Sequence, residues 1–84
     1  MERDVVVSQI ANVLSPYLGA TMAAASTRAH CEKLGIAGRA ISAEQTEALI
    51  AKLASGLSVF VGREKSARVV AEIRRAVFET AEPA

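Results

Sequence analysis

The sequence predicts an all-α protein, a compact four-helix bundle with the second helix central and a second copy of the chain completing its packing. Three observations carry this expectation. Apolar residues recur at helical spacing along most of the chain, 17 of the 84 residues are alanine against three aromatics, and Tyr17 to Leu34 places apolar residues on two opposite sides of one helix. Alanine has the highest helix propensity and is depleted from strands, so an alanine-rich core is built by close approach of helices. A helix apolar on two sides needs cover on both, and so short a chain has few elements to supply it.

The first helix is expected over 4–14, with Asp4 as its cap and Val6, Val7, Ile10, Val13 and Leu14 on one face. Ser15 is read as the next cap and Pro16 as the first helical position, where a missing N–H is harmless, giving a second helix over 16–34 that Gly35 closes in a left-handed conformation. The connector Gly35–Ile41 has no sustained period, and Ile36 and Ile41 are expected to tuck into the core. Ser42 and Gln45 form a capping box opening a third helix over 42–61, whose apolar stripe is Leu49, Ile50, Leu53, Leu57, Phe60 and Val61. A short strand over Ser58–Val61 is the alternative, since valine and phenylalanine favour the pleat. Gly62 ends the third helix with positive φ, and a fourth runs over 63–79 with Ser66, Val69, Val70, Ile73, Ala76 and Val77 inward. On its outer face Glu64–Arg68 and Arg68–Glu72 stand at ion-pair spacing. Residues 80–84 are expected to fray, and no internal repeat, low-complexity tract or linker divides the single helical domain 1–84.

Composition narrows the function. One cysteine and one histidine provide neither an internal disulfide nor a set of soft metal ligands, so no metal and no cofactor is expected. Ten basic against nine acidic residues leave a net charge of +1, too little for a dedicated nucleic-acid binder. Met1-Glu2-Arg3-Asp4 lacks the basic start of a signal peptide, and no apolar run approaches the ~20 residues of a membrane span, so a cytoplasmic protein without a membrane partner is expected.

The doubled stripe directs the partner reading. The stripe Leu18, Met22, Ala25 and Ala29 includes the larger side chains Leu18 and Met22, which are expected to fill the core. The opposite strip, Ala20, Ala23, Ala24, Thr27 and Cys31, is flat and is expected to meet a symmetry mate in a homodimer. Cys31 on that strip reads as a small hydrophobe, because the neighbouring His30 points about 100° away from it on a helix and cannot activate the thiol. Glu44 and Glu47 lie in a first helical turn, where the dipole favours carboxylates without any catalytic role. Gly56 to Ser66 has the glycines and lysine-serine pair of a phosphate-binding loop but not its spacing, leaving at most an anion site at the start of the fourth helix. Arg63, Lys65, Arg68, Arg74 and Arg75 make that helix basic, yet Glu64, Glu72 and Glu79 interleave with them.

His30 stands in Ala29-His30-Cys31-Glu32-Lys33-Leu34-Gly35, a segment that resembles the core of histidine phosphotransfer domains, four-helix bundles with an exposed histidine and a lysine three residues later. The resemblance implies His30 as phosphate acceptor and Lys33 as its companion. Leu34 stands where that family has glycine, and the glycine comes one residue late, at Gly35. The expected function is a small helical protein–protein interaction or dimerisation module, a regulatory adaptor and not an enzyme, with an unidentified protein partner besides its own copy. Phosphorelay through His30 and DNA regulation through the basic last helix are the alternatives.

Overall fold

Four helices, α1 (Arg3–Leu18), α2 (Ala20–Lys33), α3 (Ala43–Val61) and α4 (Arg63–Arg74), followed by a π-helical turn over Arg75–Glu79, make up the computed structural model, which describes residues 1–79. The expected frayed tail lies outside the described residues. Among them there is no strand, only an isolated bridge between Glu2 and Ala40.

The first helix departs most from expectation. α1 runs through Ser15 and Pro16, so neither opens α2, and the break falls at Gly19, with φ 86° and ψ 150°. A proline two residues from the end of a helix removes a single N–H and leaves little chain beyond it to kink. The N–H of Gly19 donates to the Ser15 carbonyl at 2.8 Å and holds that last turn closed. Only glycine adopts the Gly19 dihedrals without strain, so the corner forms there. Nor does Asp4 cap α1. The helix starts after Glu2 without a side-chain cap bond, its first turn tied to the connector by Arg3 N–H to the Arg39 carbonyl (2.7 Å) and Ile41 N–H to the Met1 carbonyl (2.8 Å).

Gly62 repeats the Gly19 corner. It has φ 90° and ψ 163°, its N–H donates to the Ser58 carbonyl at 2.9 Å, and its own carbonyl accepts from Ser66, as that of Gly19 accepts from Ala23. A single offset along the chain carries buried Val6, Val7, Ile10 and Leu14 onto buried Leu49, Ile50, Leu53 and Leu57, Gly19 onto Gly62, and buried Ala23 onto buried Ser66. The chain therefore contains two helix–glycine–helix corners in the same burial register, a repeat that its few identical residues conceal.

Between the corners, α2 ends in a Schellman motif: Ile36 N–H donates to the Cys31 carbonyl (2.9 Å), Gly35 N–H to the Glu32 carbonyl (3.0 Å), and Gly35 takes φ 73°. Ile36 and Ile41 are both buried. Ser42 and Gln45 make the reciprocal capping box that starts α3. Ser58–Val61 is helical, not a strand. The core joins Val6, Ile10 and Leu14 of α1 to the α3 stripe and to Val69, Ile73 and Val77, with a Cα radius of gyration of 11.8 Å, as a folded chain of this length requires.

α4 does not continue to 79 as an α-helix. From Arg75 the winding widens to π, which swings Phe78 round toward the side already occupied by Ile73 and Val77, so that both Val77 and Phe78 pack on the core. Neither Glu64–Arg68 nor Arg68–Glu72 forms an ion pair: Arg74 reaches Glu47 on α3 at 2.6 Å, and Glu72 accepts from the Tyr17 hydroxyl at 3.4 Å. Three buried hydroxyls find backbone acceptors: Thr27 on Ala23, Thr46 on Ser42, and Ser66 on Ala54 across the α3–α4 corner.

Candidate functional site

The two stripes of α2 are exchanged relative to expectation. Ala23, Thr27 and Cys31, placed on a dimer strip by the sequence, are buried in this chain's own core at 0%, 0% and 4% exposure, Ala24 is half-buried, and Ala20 alone is open. Met22, expected in the core, is 59% exposed, and Ala25 and Ala29 are exposed beside it. The one-residue corner at Gly19 explains the exchange. α2 folds back against α1 at once, and two helix backbones joined so tightly come together only where the facing side chains are small. The alanine strip therefore serves the chain itself, and α2 is covered on one side and not two.

The outward side of α2 faces α3 across a groove. A cavity of about 280 Å³ lies there, floored by Leu14 and Leu18 of α1 and walled by Met22 and Ser26 of α2 and by Leu53, Leu57 and Phe60 of α3. Phe60, expected on the core stripe, stands at the rim with 68% exposure because that stripe runs past the end of the core it covers. Gly56 opens the wall further, with nothing within 4 Å of the place a Cβ would occupy.

Toward the C-terminus of α2 the groove reaches His30, which also borders a second cavity of about 460 Å³ with Lys33, Leu34, Lys52, Ser55 and Gly56. Lys33 and Lys52 are exposed and have no carboxylate partner among the described residues. His30 is half-buried, and its Nδ1 is enclosed without a hydrogen-bond partner. Leucines and a phenylalanine at one end and cations at the other can hold a molecule by its apolar body and its negative charge.

The remaining candidates fall into structural roles. Burial pushes the Cys31 thiol above its ordinary pKa, with the Arg3 guanidinium opposing this in part, so its reactive thiolate is disfavoured. Glu47 is engaged by Arg74, leaving Glu44 without a second carboxylate on its face. Within Gly56 to Ser66, Gly56 is mid-helix, Gly62 is a corner, and the Ser66 hydroxyl is buried on Ala54, so the stretch forms no phosphate-binding loop. No three His, Cys, Asp or Glu side chains come together as a metal site, and no helix is long and apolar enough to cross a membrane, among the described residues. The sequence did carry a signal for the groove: Gly56, a glycine in the interior of the amphipathic helix α3, has no capping work to do there. No family model, curated protein or solved structure matches the chain.

Proposed function

We propose that this protein is a helical interaction module that pairs with a second copy of itself through the outer ends of α2 and α3, in place of the alanine strip. The observation that carries the reading is the exposed pair Met22 and Phe60 at the rim of the groove, at 59% and 68%, with Val59 next to Phe60 in sequence at 89%. Large apolar side chains this open are rare in clusters on monomers and are the usual anchors of an interface. In a twofold pair the same patch meets itself, so each copy's Phe60 and Met22 are covered by those of the other without any further element. A small domain gains most from such cover, because apolar area contributes about 25 cal/mol per Å² removed from water against a marginal total stability.

Light scattering at tens of micromolar tests it. Wild type is expected at twice the monomer mass of 8.8 kDa, and Phe60→Glu at the monomer mass with an unchanged helical circular-dichroism spectrum. A wild type that stays monomeric, or a variant that stays dimeric, refutes the assignment of this face.

Phosphorelay through His30 is the weaker reading. Its ring is half-buried, and the Schellman motif at Gly35 places it in the last turn of α2 beside half-buried Leu34, where histidine phosphotransfer domains have glycine. Incubation with phosphorylated receiver domains is expected to leave the protein unlabelled on Phos-tag gels. Label that appears on wild type and is absent from His30→Gln would restore the phosphorelay reading.

A further inference from the structure

We infer that the groove beneath the Met22–Phe60 rim binds a single-chain anionic amphiphile of the fatty-acid class, its chain along the leucines and its carboxylate at His30, Lys33 and Lys52. Both halves of such a molecule are matched. The deep part of the trough is apolar, walled by Leu53 and Leu57 over Leu14 and Leu18, and no charged side chain lines it. From Met22 to His30 the trough follows two turns of α2, about 12 Å at 1.5 Å per residue, which suits a medium-length alkyl chain. At its far end stand Lys33 and Lys52, neither paired with a carboxylate among the described residues, and His30, whose Nδ1 is enclosed without a hydrogen-bond partner. No carboxylate lines either cavity. A neutral chain would use only the first half of this arrangement, and a cationic one would be repelled by the second.

The inference shares the Met22–Phe60 rim with the pairing proposed above, but its head-group lysines lie beyond that rim, so pairing is read by mass and the head group by the lysine pair. The probes are dodecanoate, dodecanol and dodecyltrimethylammonium, each added to the full chain below its micelle concentration and followed by amide chemical shifts and melting temperature. Dodecanoate is expected to bind saturably, shifting amides around Leu57 and His30 and raising the melting temperature, dodecanol to bind more weakly, and the ammonium not at all. Lys33→Glu/Lys52→Glu, two exposed changes that leave the fold intact, is expected to weaken dodecanoate about tenfold and leave dodecanol unchanged. Gly56→Leu places a side chain in the open wall and is expected to block both, while improving the propensity of α3. Phe60→Glu reports on pairing by its mass, and the lysine pair reports on the head group alone. The inference is overturned if wild type shows no saturable dodecanoate binding, if carboxylate and alcohol bind alike, if the lysine reversal leaves that difference in place, or if Gly56→Leu binds as wild type does.

Discussion

Ala23→Glu is expected to abolish cooperative folding. Ala23 is fully buried on the face of α2 that closes against α1, and its methyl group meets other apolar side chains of the same core. Glutamate there adds volume at a close helix contact and buries a carboxylate with no cation beside it, a burden of several kcal/mol. A chain of 84 residues is stable by on the order of 5–10 kcal/mol in all, so one such change consumes most of it. Ala20→Glu, three residues earlier and exposed, is expected to shift stability by less than about 0.5 kcal/mol. Urea titration followed by circular dichroism separates the two outcomes. An Ala23→Glu protein that unfolds at the wild-type midpoint would return Ala23 to the surface and revive the strip as an interface between copies.

The second large effect lies at the corners. Gly19→Ala and Gly62→Ala are each expected to destabilise by about 1–3 kcal/mol, although nothing lies within 4 Å of either new methyl group. The strain is in the backbone: φ of 86° and 90° with ψ near 150–163° is a region essentially closed to residues with a Cβ. Gly56→Ala supplies the contrast. It has no positive φ and equally open space, so alanine is expected to stabilise by about 0.5–1 kcal/mol through helix propensity. The three glycines thus respond with opposite signs to one chemical change, and thermal melts of the three variants check it. A Gly62→Ala protein that melts at or above wild type would mean that the corner can relax into an ordinary helical turn.

The two corners also bear on how the chain is built. Each turns one helix back on another through a single residue, with hydrogen bonds from the glycine N–H to a serine carbonyl before it and to the glycine carbonyl from the residue four places after it. The consequence reaches the groove. Because α1 and α2 are joined this tightly, and α3 and α4 likewise, the small side chains Ala23 and Ser66 are drawn to the inside of the corners, and the larger Met22 and Phe60 are left on the outside, where the cavity opens.

What the sequence by itself determined is what depends on neighbours along the chain. Helical spacing located the α3 stripe from Leu49 to Leu57, the Ser42–Gln45 box located its start, and Gly35 and Gly62 marked positions of positive φ, because periodicity, caps and glycine dihedrals are properties of a few consecutive residues. Even there Pro16 misled, since proline is tolerated near a helix end as well as at a helix start and only the chain beyond it decides between them. The choice between the two apolar sides of α2 was of another kind. Both sides satisfy the helical period, and hydrophobicity favours the one with Leu18 and Met22; the side that went inward, Ala23, Thr27 and Cys31, did so because the Gly19 corner brings α1 within reach of small residues only. The same holds for the groove, whose leucines come from α1 and α3 and whose cations come from α2 and α3, an assembly of residues far apart in sequence that exists only once the corners have set which helix lies against which.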